Sequence, residues 1–166
     1  STYLRTPPRA PIADVDSIAL PAWDLFPMSY YRMHRMPRAT PTDFVVPVLS
    51  GRGCPFRCSF CYRIDPGHRP RSADAIVEEV ERLRDDYGIT YIAFLDDLLM
   101  CSEARTEEMC VALAKTGLAW CCNGRLNYAS TSLMRLMERS GCRFVNFGVE
   151  SLDDDVLRRI HETTKS

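Results

Sequence analysis

Cys54, Cys58 and Cys61 fall within one short loop, Ser50-Gly51-Arg52-Gly53-Cys54-Pro55-Phe56-Arg57-Cys58-Ser59-Phe60-Cys61-Tyr62, at the spacing C-x3-C-x2-C. Two glycines open the loop and one proline stiffens it, so the three thiolates can converge on one metal centre. Three is one fewer than the four ligands that close a structural zinc site or a cubane iron–sulfur cluster. A centre held this way keeps one open position, and an open position is where a small molecule reaches a metal. Two centres fit. Zinc would take His68 as its fourth ligand, giving C-x3-C-x2-C-x6-H and a non-catalytic binding module. An iron–sulfur cluster is favoured by the setting, because the loop follows an apolar strand feeding a large α/β unit, whereas zinc knuckles stabilise domains with little core of their own.

The other five cysteines, Cys101, Cys110, Cys121, Cys122 and Cys142, lack ligand spacing and read as small buried residues. Eight cysteines would suit the disulfide framework of a small secreted chain. Long amphipathic helices and no recognisable signal peptide instead predict reduced thiols and a cytoplasmic protein. At 166 residues the chain can build one domain with a real core, and its net charge of −1 gives no reason to expect nucleic acid or a membrane surface as a partner. No apolar run is long enough to span a bilayer. The chain starts at Ser1 and stops at Ser166 just past a helical pattern, as expected of a segment of a longer protein.

The elements that must position the loop are legible from periodicity. Residues 1–41 carry scattered prolines that bar long helices and central strands. They predict an extended arm or linker, anchored by Trp23, Leu25, Phe26, Tyr30 and Tyr31. From residue 42 a unit repeats. Apolar strands are expected over Phe44–Leu49, Ile89–Leu95, Leu118–Cys122 and Cys142–Val149, with Pro47 the one awkward residue. Helices are expected from Ser72 to Gly88 (Ile76, Val80, Leu83 and Tyr87 on the inner face), Ser102 to Thr116, Ser130 to Ser140 and Asp153 to Ile160. Strands alternating with helices predict an α/β fold with a parallel sheet and right-handed crossovers. Four units make half of an eight-fold TIM-type barrel, or two thirds of a six-fold one. An open doubly wound sheet competes, but no G-x-G-x-x-G opens a helix.

In such folds the working residues sit at the carboxyl ends of the strands. Those ends deliver the cysteine loop, then Asp96 and Asp97, then Asn123, Gly124, Arg125 and Asn127, then Glu150 and Ser151. Side-chain alternation places Phe144, Asn146, Gly148 and Glu150 on one face of the fourth strand, toward the barrel interior, and Val145, Phe147 and Val149 on the other. The same parity puts Cys121 with Asn123 and Arg125, and Cys122 with Trp120.

With its aromatic residue before the last cysteine, the loop resembles the signature of the radical S-adenosylmethionine (radical SAM) superfamily. IADVDSIALPAWDLFPMSYY at 12–31 is similar to the connector preceding this domain in the cobalamin-binding subgroup, and FLDD at 94–97 and NFGVES at 146–151 also fit that subgroup. The resemblance implies that Cys54, Cys58 and Cys61 hold three irons of a 4Fe-4S cluster while SAM chelates the fourth. One electron then cleaves the sulfonium, giving methionine and a 5′-deoxyadenosyl radical. It further implies that Phe60 lies near adenine, that Asp96 or Asp97 meets the methionine amine in place of the family's Gly-Gly-Glu, that Arg125 pairs with the SAM carboxylate, and that Glu150 and Ser151 reach the ribose.

On this reading residues 1–41 lead from an upstream, cobalamin-binding domain, and residues 42–166 form the first part of the core domain. The chain would belong to an anaerobic, cobalamin-dependent methyltransferase or cyclase acting on a small molecule, with flavodoxin or ferredoxin as electron donor. A cobalamin-free relative such as a methylthiotransferase is the alternative within the family. Two more strand–helix units complete such a barrel, so the chain alone is expected to fold without full activity, its free sheet edge open to pairing with a neighbour.

Overall fold

Proline leaves the N-terminal arm with one short α-helix, α1 (Met28–Tyr31), and a 3-10 turn at Trp23–Leu25. The structure, a computed structural model, describes residues 3–62 and 67–161. The remaining elements follow in the order β1 (Val45–Val48), β2 (Gly51–Gly53), β3 (His68–Pro70), α2 (Ala73–Tyr87), β4 (Tyr91–Phe94), α3 (Glu103–Ala114), β5 (Ala119–Gly124), α4 (Thr131–Arg139), β6 (Cys142–Phe147) and α5 (Asp154–His161). The chain end, 162–166, lies outside the described residues.

Four strands form a parallel sheet in the order β1-β4-β5-β6. Pro47 is tolerated because β1 is an edge strand, where a missing N–H breaks no ladder on the open side. The helices start at serines whose hydroxyls accept an orphan N–H of the first turn: Ser72 from Ala75 (3.1 Å), Ser102 from Arg105 (3.2 Å) and Ser130 from Leu133 (3.2 Å). Asp153 serves α5 in the same way, its carboxylate accepting from the N–H groups of Asp155 and Val156. α3 ends at Ala114 rather than Thr116, because the Thr116 hydroxyl donates to the Leu113 carbonyl and accepts from the Leu118 N–H, bending the chain into β5.

The two faces of the sheet differ. Val46, Val48, Ile92, Phe94, Trp120 and Cys122 meet Ile76, Val80 and Leu83 of α2, Met109 and Leu113 of α3, and Leu133 and Met137 of α4 in the main core. Val145 and Phe147 join that side, as their parity requires. The opposite face carries a smaller cluster of Val45, Tyr91, Ala93, Ala119 and Cys121, with Phe144 packed against it. Met36 and Ala39 of the arm cover it, and the Tyr91 hydroxyl donates to the Pro37 carbonyl (2.9 Å). Between Cys142 and Phe144 the register to β5 slips by one residue, so Arg143 bulges out and reaches the buried Asp43 at 2.7 Å.

The arm is pinned along its length. Asp16 accepts from the Ser72 N–H (2.9 Å), and the Trp23 indole donates to Glu79 (3.3 Å), which is itself paired with Arg71 at 2.5 Å. Three expected anchors are exposed: Leu25 at 79%, Tyr30 at 58% and Phe26 at 41%. The turn and α1 are each too short to present more than one face, and Trp23, Met28 and Tyr31 take it. Among the described residues no helix is long and apolar enough to cross a membrane.

Candidate functional site

The cysteine loop is framed by two strands that periodicity does not reveal. β2 and β3 pair antiparallel with Gly51 opposite Pro70, Arg52 opposite Arg69 and Gly53 opposite His68, so the loop leaves and returns at one point. A Cβ on Gly51 would stand 3.0 Å from the Arg69 carbonyl oxygen and the Pro70 Cα, a tight contact with backbone that glycine avoids. Gly53 has φ +73°, a left-handed turn that swings the chain into Cys54.

Behind the loop, Asp96 acts as a bracket. It is 7% exposed, and its two carboxylate oxygens accept from the Ser50 N–H (3.0 Å) and the Ser50 hydroxyl (2.5 Å), tying the end of β4 to the start of β2. Burial raises its pKa above the usual carboxylate value, against the lowering effect of the Ser50 hydrogen bonds. The two aspartates are thus separated: Asp96 is spent on Ser50, and Asp97 lines the cavity in front of the loop.

That cavity, about 660 Å³, lies at the carboxyl ends of β4, β5 and β6. It is lined by Cys54, Cys58 and Cys61 together with Phe60, Asp97, Arg125 and Glu150. Of the nine residues expected at the site, only Asp96 and Ser151 are not on its wall. The Ser151 hydroxyl instead accepts from the Asp153 N–H at 3.0 Å, at the entrance to α5. None of the other five cysteines lines the cavity, and none of the eight is in a disulfide.

Burial pushes the Cys54 thiol up, its hydrogen bond with the Phe56 backbone pulls it down, and the neighbouring Asp97, Cys58 and Cys61 push it further up. Cys54 therefore stands beside three other potential anions on the cavity wall, the condition a cationic metal centre relieves. Among the described residues no three His, Cys, Asp or Glu side chains converge on a single ion. A cubane gives each cysteine its own iron, so three thiols spread along one wall are a donor set that fits it. His68, the fourth ligand zinc would need, sits in β3 opposite Gly53 and is not on the wall.

Asn123, Asn146 and Gly148, which the sequence places on this rim or toward the barrel interior, complete the cavity together with apolar residues it did not single out. The Asn146 amide donates to Asn123 Oδ1 (3.1 Å), and the Asn123 amide donates to the Asp96 carbonyl (3.0 Å), which gives the cavity a polar floor. Leu98, Leu126, Val149 and Leu157 supply apolar wall. Val149 was expected on the helix-covered face. The strand ends at Phe147 and Glu150 takes φ +61°, so alternation stops there and Val149 turns to the cavity, 44% exposed. A Cβ on Gly148 would lie 2.6 Å from Glu150 Oε1, so glycine there lets the carboxylate fold back along the wall. Arg125 lies over the Phe56 ring at 3.9 Å with Nη1 3.7 Å from Cys58 Sγ. Phe56, two residues before Cys58, is the visible signal for that contact. The last turn of α5 touches the loop, with the Ser59 N–H donating to the Ile160 carbonyl at 3.2 Å.

Residues 48–166 match the model of the Radical SAM superfamily. The chain is 33% identical over 159 residues to an uncharacterized methyltransferase of Pyrococcus horikoshii, covering 93% of this chain and 33% of that protein. It is 27% identical over 165 residues to the anaerobic magnesium-protoporphyrin IX monomethyl ester cyclase of Rubrivivax gelatinosus, covering 96% and 29%. The chain thus spans about a third of the length of these curated relatives. Among solved structures, the radical S-adenosylmethionine methyltransferase TsrM from Kitasatospora setae, with cobalamin and a 4Fe-4S cluster bound, superposes with a TM-score of 0.66 at 20% identity, over 83% of this chain and 27% of that one. That likeness is one of fold.

Proposed function

The chain belongs to the radical SAM superfamily, and from that premise we propose that its cavity holds a 4Fe-4S cluster on Cys54, Cys58 and Cys61 with S-adenosylmethionine beside it. The observation that carries this reading is that the three thiols share one cavity with Asp97 and Glu150 at the carboxyl ends of parallel strands. When bound, the cluster and SAM supply one-electron reductive cleavage of the SAM sulfonium.

The chain's own residues bind and orient. Asp97 is the aspartate placed to accept from the methionine amine, because Asp96 is occupied by Ser50. Glu150 accepts from ribose hydroxyls, Phe60 offers its exposed ring to adenine, and Arg125 keeps donors free for the methionine carboxylate. The amides of Asn123 and Asn146 stiffen the floor. Leu98, Val149 and Leu157 give the bound cofactor an apolar wall. Ser151 acts through the α5 entrance, holding the turn that carries Glu150.

The reading extends to the whole protein as a methyltransferase or cyclase, the activities named for the two relatives. In it, residues 1–41 continue from a cobalamin-binding domain, a small molecule is the substrate, and a flavodoxin or ferredoxin donates the electron in an anaerobic cytoplasm.

Anaerobic reconstitution with ferrous iron and sulfide tests the centre. The expected product is brown and carries about four irons and four sulfides per chain, with both lost in Cys58→Ala. A colourless protein with about one zinc per chain would overturn the proposal in favour of a binding module.

A further inference from the structure

We propose that Arg125 sets the reduction potential of the centre by donating a hydrogen bond to the sulfur of Cys58, an inference that rests on the cluster assignment above. Arg125 follows the last residue of β5, with extended backbone at φ −113° and ψ 136°, so a rigid strand aims its side chain across the cavity toward the loop. Three contacts fix the guanidinium. Its plane covers the Phe56 ring at 3.9 Å, Nε donates to Asn127 Oδ1 at 3.5 Å, and Nη1 donates to Cys58 Sγ at 3.7 Å. Stacking on an aromatic face suits a planar, weakly hydrated cation and holds its donors in a fixed fork.

Arg125 forms no ion pair with a carboxylate among the described residues, so no side chain there cancels its charge before SAM binds. Its Nη1 donates to the sulfur that becomes a thiolate when Cys58 acts as a ligand. Reduction of an iron–sulfur cluster adds one negative charge, and hydrogen bonds to the sulfurs together with local positive charge favour the reduced form. Arg125 supplies both at one atom. Its side chain thus links β5 to the electronic state of a centre held by a loop between β2 and β3, while Phe56, a loop residue, makes the link rigid.

The test is the midpoint potential of the reconstituted protein, read by electron paramagnetic resonance during a mediated titration, after iron and sulfide have been counted. Arg125→Gln, with full cluster loading, is expected to lower the reduced-to-oxidised ratio at a fixed potential about tenfold, a shift of about 59 mV for one electron. Arg125→Lys, which keeps the charge but not the planar fork, is expected to recover part of it. Equal potentials in the native protein and a fully loaded Arg125→Gln would overturn the inference and leave the cluster assignment standing. A native protein that takes up no iron–sulfur cluster would overturn the assignment itself. Should Arg125→Gln fail to load, Arg125→Lys and Phe56→Leu, which removes the stacking platform, carry the comparison. Unchanged potentials in both would overturn the inference.

Discussion

Replacing Asp96 by alanine separates the roles of the two neighbouring aspartates. Asp96 accepts from the Ser50 N–H and hydroxyl, and both residues are buried. Alanine leaves two donors without a partner in a place water does not reach. A buried donor left unsatisfied costs about 1–3 kcal/mol. The hydroxyl can rotate to another acceptor whereas the N–H is fixed, so the sum is about 2–4 kcal/mol. With a urea slope of about 2 kcal/mol/M, the unfolding midpoint followed by circular dichroism falls by about 1–2 M. Asp96→Asn keeps one acceptor and loses less, about 1 kcal/mol.

The pH dependence carries a sign. Burial raises the Asp96 pKa, so the folded chain holds this proton to higher pH than the unfolded chain. Stability from this group is fully present below the unfolded carboxylate value and is lost as pH rises through the raised one. The stability difference between native protein and Asp96→Asn should therefore shrink as pH rises across that window. An Asp96→Ala midpoint within experimental error of the native protein, or equal losses in the alanine and asparagine variants, would refute the bracket.

The other predictions follow from the same geometry. Asp97→Ala should leave the urea midpoint nearly unchanged and weaken SAM binding about tenfold or more by calorimetry, unlike Asp96→Ala, which lowers the midpoint. Gly124→Ala should cost about 1–3 kcal/mol in thermal melts, because its Cβ would stand 2.5 Å from Met100 Sδ, 2.8 Å from Val145 Cγ1 and 2.9 Å from Phe147 Cε1. Gly148→Ala meets only the mobile end of Glu150, so it should melt like the native protein and bind SAM more weakly. At Asp43, burial pushes the pKa up, but hydrogen bonds from Thr40, Thr90 and Arg143 together take it below the usual value. Its stabilisation is present above the unfolded carboxylate value and lost as pH falls through the lowered one, so Asp43→Asn should flatten the acid limb of the stability curve.

Local chemistry explains which parts of this arrangement were legible in the sequence. Ser72, Ser102 and Ser130 marked the helix starts because a cap needs only a hydroxyl beside an apolar period, and each forms the expected bond. Parity assigned Cys121, Cys122, Val145 and Phe147 to their faces because a strand alternates wherever no bulge interrupts it, and the slip at Arg143 lies before Val145. It failed at Val149, beyond Phe147, where the chain takes left-handed backbone at Glu150. The β2–β3 pair was hidden because Gly51-Arg52-Gly53 and His68-Arg69-Pro70 have no strand composition, and only their pairing across the intervening loop makes them strands. The choice between Asp96 and Asp97 was hidden because adjacent residues at a strand end point opposite ways, and what each finds there depends on Ser50, 46 residues away in sequence.

A graded inner face puts the cavity where it is. At the amino ends of the strands Val45, Tyr91 and Ala119 stand in register and are covered by Met36 and Ala39 of the arm, closing that end with apolar packing. One step along, Ala93 and Cys121 are small. At the next step β4 has already ended at Phe94, while β5 and β6 continue to place Asn123 beside Asn146. Their amides must find acceptors, and the open end of β4 offers the Asp96 carbonyl. The side chain of Asp96, held back by Ser50, fixes the cysteine loop on the same strand end. The early end of β4 thus creates both the space and the unpaired backbone that fastens its floor. The loop, the amide floor and Asp97 are coupled through one residue, so a loss at Asp96 should disturb the binding wall as well as the fold.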